Sequence, residues 1–83
     1  MENQNNITFQ VLIEEDKVAG DFTAYVPALR LGAQGETLEE VRKNVTDLIS
    51  MELESRSRKG QTQLPDDNTA FMESLEIPIP VVF

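Results

Sequence analysis

The sequence predicts a small α+β domain in two layers, an antiparallel sheet in β-β-β-α-β order with one long helix packed on it. Three observations carry that expectation. Residues 7–13 alternate with period two, a capped amphipathic segment begins at Thr37, and two short apolar runs lie between them, punctuated by Gly20, Pro27, Gly32 and Gly35. With 83 residues there is room for one core and no more. A chain this short buries only about 60–65% of its unfolded surface, so association with another chain would add substantially to its stability.

In Ile7-Thr8-Phe9-Gln10-Val11-Leu12-Ile13, the residues Ile7, Phe9, Val11 and Ile13 share one face, with Thr8, Gln10 and Leu12 on the other. That is the signature of a half-buried strand. Glu14-Glu15-Asp16-Lys17-Val18-Ala19-Gly20 is charged and ends in glycine, which suits a hairpin loop. A second strand over about 21–27 places Phe22, Ala24 and Val26 toward the core and Thr23 and Tyr25 on the opposite face. Pro27 has no N–H to give to a ladder, so it marks a strand end or an edge. The stretch from Ala28 to Gly35 holds a short third strand bounded by glycines.

Thr37 followed three residues later by Glu40 reads as a capping box. The threonine hydroxyl oxygen is expected to accept from the Glu40 N–H, and the Glu40 carboxylate from the Thr37 N–H. From there a helix is expected to run from Leu38 to Lys59, about 33 Å long. Leu38, Val41, Val45, Leu48, Ile49 and Leu53 recur at steps of three and four and form its apolar stripe. Glu36, Glu39 and Glu40 flank its start and Arg56, Arg58 and Lys59 its end, as the helix dipole favours. Gly60 is placed to terminate it. A helix longer than the sheet beneath it projects at its far end, where another subunit can meet it.

The polar stretch 61–70 leads to an apolar tail, and a closing strand is expected within 75–83. Pro78 and Pro80 have the same parity, so their missing donors fall on one side, which only an edge strand accommodates. Residues 1–6 are polar and expected to be disordered. They contain no apolar signal segment, and no run approaches the roughly 20 residues of a membrane span, so a cytoplasmic location away from membranes is expected.

Composition excludes much chemistry. There is no cysteine and no histidine, which removes disulfides, thiol nucleophiles, the usual general base and the usual zinc ligands. Ser50, Ser55 and Ser57 have no base to activate them, and no glycine-rich phosphate loop is present. Carboxylates are the abundant reactive groups, but none lies between Ile7 and Ile13, and the helix acids are not at metal-ligand spacing. No catalytic residue, metal site or cofactor is therefore expected, and the chain is read as a non-enzyme. The formal net charge of −8, from 15 acidic and 7 basic residues, repels phosphate backbones. It disfavours direct nucleic-acid binding by this chain alone and favours a basic partner.

Gly20, Phe22, Ala24 and Pro27, followed by Gln34, Gly35, Glu36, Thr37, Glu39 and Glu40, together resemble the N-terminal domain of the HicB-type antitoxin family. The similarity runs over about residues 7–60, and Leu64-Pro65 with a closing strand also fits. The resemblance implies a partly degraded ribonuclease H-like fold without catalytic acids. It also implies neutralisation of a HicA-type toxin, a small basic ribonuclease that cleaves mRNA. The family usually has Leu-Pro-Gly-Cys after the second strand, where this chain has Leu29-Arg30-Leu31-Gly32-Ala33 and is one residue shorter. Many members also carry a DNA-binding domain that is not seen here, so operator binding is not carried over.

The residues assigned to partner binding are Glu14, Glu15, Asp16, Asp21 and Tyr25, and those assigned to a homodimer or tetramer interface are Ile77, Ile79, Val81 and Phe83. The alternative to an antitoxin-like module is an orphan homo-oligomeric binding or regulatory protein without a toxin partner.

Overall fold

The structure, a computed structural model, describes residues 6–60 and 70–81. Three strands, β1 (Leu12–Asp16), β2 (Asp21–Val26) and β3 (Leu31–Gly35), form one antiparallel sheet in the order β1-β2-β3. The helix α1 (Leu38–Arg58) follows and lies across β3 and β2 without reaching β1. This is the expected α+β architecture of three strands and a helix in two layers.

Both hairpins are built alike. Residues 17–20 join β1 to β2 and residues 27–30 join β2 to β3. In the first loop the Asp16 carbonyl accepts from the Gly20 N–H at 2.7 Å, and Gly20 has φ of 79°. Asp16 Oδ1 also accepts from the N–H groups of Val18 and Ala19, each at 3.0 Å, tying the turn to its own first residue. In the second loop the Val26 carbonyl accepts from the Arg30 N–H at 2.7 Å, and Arg30 occupies the equivalent position with φ of 55°. Glycine takes that left-handed conformation without cost, whereas a side chain does not.

The core consists of Ala24, Val26, Leu29, Val41 and Val45, bordered by Phe9, Val11, Ile13, Phe22, Leu31, Ala33 and Ile49. The expected inward residues of β2 are thus in place, as are Val41, Val45 and Ile49 of the helix stripe, whereas Leu38, expected in that stripe, is 38% exposed at the helix start. Leu29, in the second hairpin loop, folds inward to close the end of this core. Among the described residues no polar or charged side chain is buried.

Gly35, at the end of β3, is where sheet and helix come closest. A Cβ placed there would lie 2.5 Å from the backbone nitrogen of Val41 and 2.8 Å from its Cα. Only a residue without a side chain lets the first helical turn settle onto the strand. Asn44 adds a polar tie, donating from Nδ2 to the Gln34 carbonyl at 2.7 Å.

Four expectations are corrected. The first strand begins at Leu12 rather than Ile7, because β2 ends at Val26 and Pro27 turns away into the next loop. Residues 7–11 therefore keep the alternation, with Phe9 and Val11 half-buried, but have no ladder partner. Second, the acidic triplet Glu14-Glu15-Asp16 belongs to β1 and not to the hairpin loop, since a tight loop of residues 17–20 suffices to reverse the chain. Third, Thr37 Oγ1 accepts from the Glu40 N–H at 3.0 Å as expected, but the Glu40 carboxylate accepts from the Glu36 N–H rather than from that of Thr37. The carboxylate has reached one residue further back along the incoming chain.

Fourth, residues 75–81 form no strand, although the closing strand was expected there. Pro78 and Pro80 deprive one side of donors, and no sheet edge within the chain has come to the other. Phe83 and Leu64-Pro65 lie outside the described residues. So do residues 1–5, while Asn6 is exposed and carries no regular structure.

The helix ends at Arg58, with Lys59 as its cap and Gly60 at φ of 79° just beyond, close to the expected boundary. Its stripe thins toward that end. Val41 and Val45 are buried, Ile49 is packed at the core margin, and Leu48 and Leu53 are half-buried outside the core cluster. No helix among the described residues is long and apolar enough to cross a membrane.

Candidate partner-binding face

The sheet has one face under the helix and one face open. Side chains alternate across a strand, so the ladder register settles which residues share the open face. Leu12 pairs with Tyr25, which pairs with Gly32. Glu14 pairs with Thr23, which pairs with Gln34, and Asp16 pairs with Asp21. With Ala24 and Val26 buried beneath the helix, all eight of these residues belong to the opposite side.

Four of the five residues expected to bind a partner are thereby brought together: Glu14, Asp16, Asp21 and Tyr25. Glu15 is the exception. It pairs with Phe22 and belongs to the helix-side face at the end of β1, although it too is exposed. The triplet that looks contiguous in sequence is divided between two faces by the strand.

The open face has a simple electrostatic character. It holds three carboxylates and no basic residue. Lys17 lies in the adjoining loop, while Arg42, Lys43, Arg56 and Arg58 are carried by the helix on the other layer. Two of these helix cations are paired along the helix, Lys43 Nζ to Asp47 at 3.1 Å and Arg56 Nε to Glu52 at 2.9 Å. Asp16 is partly committed through its turn bonds, leaving Glu14 and Asp21 as the more available anionic groups.

Tyr25 is 45% exposed and Leu12 beside it 40%. Gly32, opposite Tyr25 on β3, has no side chain to crowd the ring. On its other flank the ring borders an apolar groove of about 320 Å³, lined by Gln10, Leu12, Tyr25, Pro27, Phe71 and Met72. The face therefore pairs an acidic end, near the first hairpin, with an aromatic and aliphatic end near Pro27. An anchor that is apolar in body and polar at its tip, beside an acidic patch, is suited to seating a basic protein surface.

Leu12, Phe71 and Met72 were not among the residues expected at a site. Leu12 was legible as a residue on the outer side of the first strand. The placement of Phe71-Met72 was not, because it depends on a contact sixty positions distant in sequence, the Ala70 N–H donating to Gln10 Oε1 at 3.3 Å.

Among the described residues, no group of three acidic side chains is arranged to hold a metal ion. No protein family, curated protein or solved structure matches the chain.

Proposed function

We propose that this chain is a non-enzymatic, antitoxin-like binding module of the HicB type, which neutralises a small basic HicA-type ribonuclease by protein–protein contact. The observation that carries the reading is the open sheet face, where Glu14, Asp16 and Asp21 stand beside Tyr25 with no cation among them. Support also comes from the ordered resemblance that runs from Gly20 through Pro27 to Gly35-Glu36-Thr37 and Glu39-Glu40. A ribonuclease holds RNA on a positively charged surface, and an acidic face competes for that surface by mimicking its charge. The resemblance implies a partly degraded ribonuclease H-like fold without catalytic acids.

The test is co-expression with a small basic HicA-type protein, sought in the neighbouring gene, read by affinity pull-down and by growth. A stable complex and rescue from toxicity are expected, with both lost in the Glu14→Lys/Asp21→Lys variant. If no complex forms and no rescue occurs, the antitoxin reading fails and the module is an orphan binding protein. Failure of the charge-reversal variant to weaken an existing complex would instead move the interface off this face.

A further inference from the structure

The middle of the open sheet face holds a shallow depression of about 560 Å³, separate from the groove at Phe71. Leu12, Glu14, Thr23, Tyr25, Gly32 and Gln34 line it. The ladder sets them in two rows across the sheet, Leu12–Tyr25–Gly32 and Glu14–Thr23–Gln34. Directly opposed side chains stand about 5 Å apart and diagonal ones about 7–8 Å, so Glu14 and Gln34 both lie on diagonals from Tyr25.

The floor of the depression is Gly32, and the backbone does not demand a glycine there. Its φ lies outside the left-handed region. A Cβ at this position would meet the Ala24 carbonyl oxygen at 3.5 Å, an ordinary contact, in contrast to the backbone clash at Gly35. Glycine within a strand weakens it and often marks the close approach of another molecule. What Gly32 supplies here is open space beside Tyr25.

The groups around that space suit a cation whose donors point in more than one direction. Glu14 brings a carboxylate from β1, Gln34 an amide oxygen from β3, Thr23 a hydroxyl between them, and Tyr25 an aromatic ring. Among the described residues none of these four side chains makes a hydrogen bond or ion pair. Leu12 adds an aliphatic wall for the methylene stem of a long side chain. The outer strands stand about 10 Å apart, twice the spacing of neighbours, so their acceptors come from opposite sides. A guanidinium is planar, holds five donors in a fixed fork and stacks on aromatic rings, whereas an ammonium is a compact, strongly hydrated point charge. Free arginine is disfavoured, because its α-carboxylate would meet an acidic face.

We propose that this depression is the receptor for a single arginine side chain carried by a protein partner. The guanidinium stacks on Tyr25 above Gly32 and donates to Glu14 on one side and Gln34 on the other. The inference rests on the reading of this face as the partner surface, and adds to it which side chain the face takes.

The probe is the peptide acetyl-Gly-Arg-Gly-amide, titrated into the isotope-labelled full chain and followed through amide chemical shifts. Its lysine and citrulline counterparts are run beside it. Saturable shifts are expected around Glu14, Tyr25 and Gly32, with a Kd in the millimolar range. The lysine peptide is expected to bind at least about threefold more weakly, and the uncharged citrulline peptide at least about tenfold. Gly32→Val fills the floor without altering charge and places a β-branched residue in a strand, so circular dichroism should stay native while binding falls at least about tenfold. Glu14→Gln should give a comparable loss with the shape unchanged. Equal binding of the arginine and lysine peptides overturns the inference, as does undiminished binding by Gly32→Val. So does the absence of saturable shifts at about 20 mM peptide. The titration needs no toxin, so the two readings fail separately. Peptide binding without a complex on co-expression removes the antitoxin reading and keeps the arginine site, whereas a toxin complex with no peptide binding does the reverse.

Discussion

Gly35 is the point at which a single hydrogen atom decides the fold's geometry. With Val41 backbone atoms within 3 Å of where a Cβ would sit, Gly35→Ala must push the helix start away from β3. A loss of about 1–3 kcal/mol is expected by urea denaturation, the range for overfilling a packed site. Arg30 makes the opposite case. It holds φ of 55° in a loop whose counterpart uses glycine, so Arg30→Gly should gain about 1 kcal/mol by relieving the left-handed strain. A melting temperature unchanged or lowered in that variant would show that the Arg30 side chain contributes more than its backbone costs. The capping role of Thr37 was legible from the Thr–Glu spacing alone. The reason for Gly35 was not, because a glycine before a cap signals a turn as readily as a close approach, and only the packed helix distinguishes them.

At the scale of elements, the first hairpin and the helix each divide into parts that matter unequally. Asp16 accepts two backbone N–H groups through its side chain, so Asp16→Ala should destabilise the β1–β2 hairpin by about 1–2 kcal/mol. The same change removes one charge from the open face, so its effect on partner binding is to be read beside that of Asp21→Ala, which makes no turn bond among the described residues. Along the helix, Val41→Ala should cost about 2–3 kcal/mol, since Val41 is fully buried. Met51→Ala should change stability by less than about 0.5 kcal/mol, its side chain being largely in water. Equal losses from the two would mean that the helix side bearing Met51 is covered in solution, as an additional subunit contact would cover it. The stripe was readable from its spacing, but the depth of burial along it was not. The sheet is five to six residues deep and the helix 21 long, so the sheet runs out before the pattern does.

At the scale of the whole molecule, the open sheet face carries three carboxylates and no cation, whereas the helix mixes Glu39, Glu40, Asp47, Glu52 and Glu54 with Arg42, Lys43, Arg56 and Arg58. Such a face, on a chain whose net charge is −8, should make association with a basic partner fast and salt-sensitive. Raising ionic strength from about 0.05 to 0.5 M is expected to lower the association rate at least tenfold while changing dissociation little. Stopped-flow mixing measures both. A rate indifferent to salt would assign recognition to the apolar groove at Tyr25 rather than to the carboxylates.

Local chemistry determined the elements of this protein. Pro27 ended the second strand, the Thr37–Glu40 spacing started the helix and Gly60 closed it, because each acts through neighbours a few residues away. Register and coverage were decided by the tertiary structure alone. Pairing of Asp16 with Asp21 put Glu14 and Glu15 on opposite faces, and the shortness of β2 displaced the first strand toward the acidic triplet. The tail from Ile77 to Val81 carries a strand's alternation without a strand's partner, since a ladder needs a second edge that no local sequence supplies.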